Sequence, residues 1–218
     1  MFLKSTTILT ADGGRKIEDL ASGDLLPTQF GDVRSIQWIW RYPLKKSDSS
    51  KPWVKDALPV RIARSALAPE VPHSDLYVTA EHALFIEGLL IPVWKLTNGT
   101  TITRHDAREY DELEYFNIKV EGHDVIYAEG AAVETLRDVD ESAVNFAEYF
   151  RKYGIPSQET RCAPWVSFGG GSSELKSTVR CAISPWLDRR EQIDVIRDRL
   201  EERGIALSRQ LEPSSEPW

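Results

Sequence analysis

Short apolar segments alternate with turn residues along the first 135 residues, which is typical of antiparallel strands. Thr7 to Thr10 is β-branched and apolar, and Asp12-Gly13-Gly14 separates it from a second strand at Arg15 to Ile17. Further segments of this kind are 25–28, 58–62, 76–78, 83–86, 89–93, 100–103, 115–120, 124–127 and 131–133. We therefore predict a mainly β domain built from antiparallel hairpins.

One strand has a strongly aromatic face. Within residues 33–41, Ile36, Trp38 and Trp40 alternate with the residues between them, so their side chains lie on the same side of the strand. The next segment, residues 42–57, is charged and polar and contains two prolines. We expect that segment to be an exposed excursion from the sheet.

The hydrophobic period becomes helical after Asp138. Asp140 or Ser142 is a suitable N-cap for a first helix, and Gly154 is its expected end. The apolar face of this helix consists of Ala143, Phe146, Ala147 and Phe150.

A second helix is predicted near the end of the chain. Ser184-Pro185 opens it and Gly204 is its expected end. Its apolar stripe consists of Ile193, Ile196 and Leu200. The Gly/Ser-rich segment 169–173 has no following Gly-Lys-Ser/Thr and is expected to be a loop, not a P-loop. We expect a β domain at residues 1–138 and a helical extension at residues 139–218.

Composition excludes several classes of partner. The 218 residues include 27 Lys+Arg and 34 Asp+Glu, which gives a formal net charge of -7. Without a basic surface for a phosphate backbone, we expect no nucleic-acid partner. No run of about 18 apolar residues and no signal-peptide pattern is present, so we expect no membrane partner and a cytoplasmic location. Cys162 and Cys181 form no CxxC pattern, which leaves either one disulfide or two reduced thiols.

The segment Val78-Thr79-Ala80-Glu81-His82 carries the most specific chemistry. It follows a predicted strand and places a hydroxyl and an imidazole three residues apart. In a turn, Thr79 can hold an amide or polarise a carbonyl while His82 delivers a proton to the departing nitrogen of the same peptide bond. The alternative interpretation is a Ser/Thr turn with a surface histidine.

Four blocks, read in order, resemble the Hint (Hedgehog/Intein) domain, and in particular its bacterial Hint-like group. Met1 to Thr6 is similar to an opening of the form Cys-Phe-x-x-Gly-Thr, and Ile17 to Asp24 looks like Val-Glu-Asp-Leu-x-x-Gly-Asp. The Thr79 to His82 block and a final strand block, Tyr115 to Thr135, follow in the same order. The resemblance covers residues 1–138. It implies a Hint fold of antiparallel hairpins with pseudo-two-fold symmetry, with the C-terminal helices packed on it.

The resemblance also implies a self-processing reaction. In such domains the side chain of the first residue attacks the preceding peptide carbonyl and converts the amide to a thioester, and Thr79 and His82 match the residues that assist. His123 matches a histidine that supports the later acyl transfer or cleavage, although a histidine beside Gly122 in a hairpin turn also fits a solvated side chain. The implied catalytic positions are therefore Met1, Thr79, His82 and His123. The implied substrate is an upstream polypeptide in cis, and no cofactor is implied.

Two positions depart from the family pattern. Met1 occupies the nucleophile position, and a thioether has no dissociable proton, so the first acyl shift is not expected from it. If Met1 is the native first residue, nothing precedes it to be cleaved. Splicing members end on His-Asn, whereas the matching pair here is Glu134-Thr135, so splicing is not expected. Ser5 lies about 13 Å along a strand from residue 1, too far to replace the attacking atom.

Two functions from different classes follow from these observations. The first is a Hint autoprocessing domain that is inactive as given and regains cleavage when Cys is restored at residue 1. The second is a non-catalytic Hint-fold module that binds another protein through the helix at residues 187–203. A metal site would draw on His73, His82, His105 and His123, which lack familiar ligand spacing. A serine hydrolase is not indicated, because the chain has no GxSxG elbow.

Overall fold

The computed structural model describes residues 1–46, 48–139, 141, 144–154, 160–166 and 191–211. Cys181, the 169–173 segment and the expected helix start at Ser184 lie outside the described residues. The strands are β1 (Phe2–Leu3), β2 (Thr7–Thr10), β3 (Gly13–Lys16), β4 (Leu25–Pro27), β5 (Val33–Lys45), β6 (Val60–Ile62), β7 (Leu76–Val78), β8 (Ala83–Ile86), β9 (Leu89–Pro92), β10 (Ile102–Arg104), β11 (Glu112–Val120), β12 (Val125–Ala128) and β13 (Ala131–Glu134). The helices are α1 (Phe146–Tyr153) and α2 (Gln192–Leu211).

Within the described residues the strands form two antiparallel sheets. One sheet has seven strands in the order β10-β6-β7-β1-β11-β5-β4, and the other has six in the order β3-β2-β12-β13-β8-β9. Apolar side chains from both sheets meet in one core, which includes Phe2, Ile8, Ile62, Leu84, Ile91, Ile118 and Ile126. The prediction of a mainly β fold of antiparallel hairpins with helices after the strands is confirmed.

The turns of two β-hairpins have conformations that their own residues favour. The loop Glu87-Gly88 joins β8 to β9, and Glu129-Gly130 joins β12 to β13. All four residues have positive φ, between 47° and 84°. This is the type I′ conformation, whose twist matches that of the flanking strands. The turn at Glu129-Gly130 fixes the register of β13 and so determines where Glu134, its last residue, lies.

The segment expected to be an excursion after residue 41 is in part regular strand. β5 continues to Lys45 and pairs with β11 as far as the pair Glu112 and Lys45. Proline is tolerated at position 43 because β4 pairs only with residues 33–35 of β5, so one side of the strand is open there. The pairing with β11 is remote in sequence, which is why the local pattern did not reveal it.

The aromatic face of β5 supports α1. Trp38 and Trp40 pack with Tyr149 of α1, and the rings of Trp38 and Tyr149 lie 5.2 Å apart. The helix begins at Phe146, and the Asn145 side chain before it donates to the carbonyl of Ile39 at 2.8 Å and makes no cap bond to the helix. The predicted cap positions Asp140 and Ser142, and Ala143 of the predicted apolar face, lie outside the described residues. Gly154 ends the helix, as predicted.

The second helix also packs on the sheets. Ile196 and Leu200 are buried in the main core, as the predicted stripe requires. The prediction that Gly204 ends this helix is wrong, since α2 continues to Leu211. Gly204 is instead a point of close approach: a Cβ there would lie 2.3 Å from Oγ1 of Thr100.

Neither described helix is both long enough and apolar enough to cross a membrane. The division of the chain at residue 138 stays a prediction.

Candidate functional site

Residue 1 lies beside Thr79 because β1 is an interior strand. Phe2 pairs with Val78 of β7 on one side and with Phe116 of β11 on the other. The nitrogen of Met1 donates a hydrogen bond to Oγ1 of Thr79 at 2.8 Å, and the Thr79 amide donates to the carbonyl of Met1 at 2.8 Å. When a residue precedes Met1, this nitrogen is the amide nitrogen of the peptide bond between them. The structure therefore places the Thr79 hydroxyl on that nitrogen.

His82 is held in the same turn. Its amide donates to the carbonyl of Thr79 at 3.0 Å, and its ring packs edge-on against Phe2 with centroids 4.5 Å apart. The side chain is only 3% exposed, so the surface-histidine interpretation is wrong. Nε2 of His82 is buried and has no hydrogen-bond partner among the described residues. A buried ring nitrogen without a partner is an available proton donor or acceptor inside the site.

Burial lowers the pKa of both the His82 imidazole and the Met1 amine. Desolvation, followed by the positive charge of the terminal amine and by His123, holds the pKa of His82 well below its usual value of about 6.5. Desolvation also lowers the pKa of the amine of Met1 to about 5, although the charge of Glu134 acts in the opposite direction. His82 is therefore a neutral imidazole at neutral pH, because burial disfavours its protonated form.

His123 joins this group through Glu134. Its Nε2 atom lies 3.2 Å from Oε2 of Glu134, and the side chain is fully buried, not solvated in a turn. The other oxygen of Glu134 accepts the amide of Ala83 at 2.9 Å and lies 3.9 Å from Nδ1 of His82. One carboxylate thus stands between the two histidines. The structure brings Met1, Thr79, His82 and His123 together.

Glu134 was missed as a functional residue by sequence reasoning. The only signal in the sequence was that Glu134 occupies the position of the histidine in the His-Asn pair of splicing members. We interpreted this difference as the loss of a family residue. The carboxylate reaches the site because β13 pairs with β8, with Val133 opposite Leu84. Its neighbour Thr135 is buried, and its Oγ1 accepts the amide of Asp124 at 2.9 Å.

A small cleft lies beside Glu134. It has a volume of about 200 Å³ and is bordered by residues that include Asn117, Glu134, Arg137 and Trp165.

The other two histidines lie elsewhere: His73 is 3.4 Å from Glu129, and His105 is 3.0 Å from Glu109. Among the described residues no three His, Cys, Asp or Glu side chains are arranged to hold a metal ion.

The chain is similar to solved intein structures and matches one family model. Among solved structures, the chain is similar to the gp41-1 intein, with 17% identity and a TM-score of 0.42 over 61% of this chain and 96% of that chain. It is also similar to a DnaB intein from Synechocystis sp. PCC 6803, with 14% identity and a TM-score of 0.43 over 62% of this chain and 97% of that chain. No curated protein matches the chain. The family model described as the Hint domain matches residues 1–140, well over half of the chain, and the protein therefore belongs to the Hint domain family.

Proposed function

We propose that this Hint domain is an autoprocessing domain for a polypeptide that precedes residue 1, and that Met1 leaves the chain as given unable to cleave it. The observation that carries the proposal is the 2.8 Å hydrogen bond between the nitrogen of residue 1 and Oγ1 of Thr79, with the buried His82 in the same turn. This arrangement supports a reaction at the peptide bond before residue 1, to which the Thr79 hydroxyl and the His82 imidazole would both contribute.

With Cys at residue 1, the proposed reaction begins with a shift of the acyl group from the nitrogen to the sulfur of that residue. The thiol sulfur attacks the carbonyl carbon of the preceding residue while neutral His82 takes the thiol proton. The carbon–nitrogen bond then breaks, and the imidazolium returns the proton to the nitrogen of residue 1. Thr79 holds that nitrogen throughout. Water or an added thiol then attacks the thioester, which releases the upstream polypeptide as an acid or a new thioester and regenerates the cysteine thiol.

Methionine at residue 1 stops this sequence at its first step. A thioether sulfur has no proton to give to His82 and forms no neutral acyl product. Splicing is not part of the proposed function, because position 135 is a threonine and has no side-chain amide to cyclise. The proposed reaction is therefore N-terminal cleavage alone, in a chain whose nucleophile has been restored.

The alternative, a non-catalytic module that binds a protein through the C-terminal helix, has less support. Ile196 and Leu200, two residues of the apolar stripe of α2, are already buried inside the chain. A partner would meet mainly the polar faces of this helix. A partner captured through α2 by the unchanged chain, together with an inert Met1→Cys precursor, would favour this alternative.

The test is an intact-mass assay of a precursor with a short upstream peptide and Met1→Cys, with and without an added thiol. Thiol-dependent cleavage immediately before residue 1 is expected, and it should be lost in His82→Ala. His105→Ala is the matched control, since His105 pairs with Glu109 outside the site. A folded Met1→Cys precursor that stays intact with thiol contradicts the proposal.

A further inference from the structure

A segment beyond the family match reaches the site. Residues 160–166 follow residue 140, where the Hint match ends, yet they lie along the edge strand β9. The Leu90 amide donates to the carbonyl of Pro164 at 2.8 Å, and the Val166 amide donates to the carbonyl of Leu90 at 3.0 Å. Main-chain hydrogen bonds on both sides of Leu90 thus fix the position of this segment.

The same segment contacts His123 directly. The backbone amide of Cys162 donates a hydrogen bond to Nδ1 of His123 at 3.2 Å. Because Nδ1 accepts, the ring proton is on Nε2, which lies 3.2 Å from Oε2 of Glu134 and donates to it. A continuous chain of hydrogen bonds therefore runs from the Cys162 amide through the His123 ring to the carboxylate beside His82.

The contact depends on the main chain of Cys162 and not on its thiol. Burial, followed by the charge of Asp124, raises the pKa of this thiol to about 11, so it stays protonated at neutral pH and is a poor nucleophile. The Cys162 side chain packs with Ala163 and Trp165 against the buried residues Ala83, Leu90 and Val125. This packing holds the amide in place.

We propose that the 160–166 segment is part of the processing site and that the Cys162 amide is a positioning group for His123. It selects the tautomer with the proton on Nε2 and directs that N–H to Glu134. The catalytic consequence rests on the proposed function, but the tautomer does not. Without this amide the ring is free to adopt the other tautomer, whose unprotonated Nε2 would face the carboxylate without a hydrogen bond between them.

The first measurement uses the unchanged chain labelled with ¹⁵N. We expect a scalar coupling across the hydrogen bond between the Cys162 amide nitrogen and Nδ1 of His123, and long-range ¹H–¹⁵N spectra that show the proton on Nε2. Absence of the coupling, or a proton on Nδ1, would overturn the proposal. Because no variant is involved, this result does not depend on whether a substitution folds.

The second measurement compares proline substitutions along the segment. Cys162→Pro removes the donor amide, whereas Ala163→Pro introduces the same ring next to it, and Cys162→Ala removes only the thiol. We expect the proton on Nδ1 of His123 to become populated in Cys162→Pro alone. In the Met1→Cys precursor the same variant should slow cleavage at least about tenfold relative to Ala163→Pro, because His123 would no longer donate a hydrogen bond to the carboxylate beside His82.

Equal tautomer populations in Cys162→Pro and Ala163→Pro would overturn the inference. If cleavage is absent from every Met1→Cys precursor, the proposed function fails, while the tautomer spectra still decide whether the Cys162 amide positions His123. If the tautomer changes in Cys162→Pro but cleavage does not, the amide has no catalytic role and the inference fails while the proposed function stands.

Discussion

Met1 and Thr79 are joined by two hydrogen bonds: the nitrogen of Met1 donates to Oγ1 of Thr79 at 2.8 Å, and the Thr79 amide donates to the Met1 carbonyl at 2.8 Å. The main-chain bond holds residue 1 in the sheet, whereas only the hydroxyl touches the nitrogen that leaves during cleavage. The two contributions can therefore be separated by changing the side chain of Thr79.

Replacing Thr79 with Val keeps the shape and the main-chain bond but removes the hydroxyl. In the Met1→Cys precursor we expect cleavage to slow by about 100-fold, the scale found for the loss of one positioned hydrogen-bonding group at a reacting centre. Thr79→Ser, which keeps the hydroxyl, should cleave within about tenfold of the parent. Initial rates from intact mass give the comparison, and equal rates in Val and Ser variants would contradict a role for the hydroxyl.

His82 should make stability fall in mild acid. Its pKa is lowered in the folded chain by burial, while in the unfolded chain it stays near 6.5, so below that pH the unfolded state binds a proton that the folded state does not. The free energy of unfolding therefore decreases as pH falls through 6.5, with a slope of at most about 1.4 kcal/mol per pH unit from this residue.

Urea unfolding between pH 7.5 and about 5 measures the total slope, to which the lowered pKa of the Met1 amine contributes in the same direction. The His82→Asn variant should show a shallower slope, whatever its stability at pH 7.5. Identical slopes in the two proteins would mean that His82 titrates normally in the folded state.

Glu134→Gln should impair both the fold and the site. The amide oxygen can still accept the Ala83 N–H, but the amide group would then direct an N–H at the proton on Nε2 of His123. We expect a loss of about 1–3 kcal/mol in the free energy of unfolding, the scale for a buried polar group left without its partner. Cleavage by the Met1→Cys precursor should also slow by at least about tenfold.

The matched control for that change is Glu114→Gln. Glu114 pairs with Lys4 at 2.8 Å, but both side chains are partly exposed, at 30% and 53%. Water screens an exposed ion pair, so this variant should resemble the parent in stability and cleavage. Equal effects at the two positions would argue against a special role for Glu134.

The packing of α1 gives a prediction independent of catalysis. Tyr149 is 8% exposed and packs on Trp38, whereas Phe150 is 49% exposed on the same helix. We expect Tyr149→Ala to cost about 3 kcal/mol of unfolding free energy and Phe150→Ala less than about 1 kcal/mol. Denaturant unfolding of the two variants tests this. Similar costs at both positions would show that α1 is not held by the aromatic face of β5.

Local signals predicted the hairpins and failed at long-range contacts. Asp12-Gly13-Gly14 and Gly130 specify tight turns by their own conformations, so the strands around them could be read from the sequence alone. The continuation of β5 to Lys45 depends on β11, which lies more than 60 residues further along the chain, and no local pattern records that pairing. Gly204 shows the same limit, because its contact with Thr100 is invisible to a rule about helix ends.

The residues of the candidate site also fall into two groups: those that a local pattern or the resemblance predicted, and those that only long-range contacts bring to the site. Thr79 and His82 were found because their spacing within one turn is itself the signal, and the resemblance added Met1 and His123. Glu134 and the Cys162 amide enter through strand pairing and through a segment outside the matched region. A backbone amide also has no residue identity, so sequence reasoning cannot single it out.

The place of β1 in the middle of the seven-stranded sheet has a consequence for biosynthesis. Phe2 needs both Val78 and Phe116 as neighbours, so the first residues of the domain cannot be seated until the chain through β11 has left the ribosome. Glu134 and the 160–166 segment emerge later still. If the proposed cleavage operates, an upstream polypeptide therefore stays joined to a Cys-restored domain until almost the whole of that domain has been synthesised.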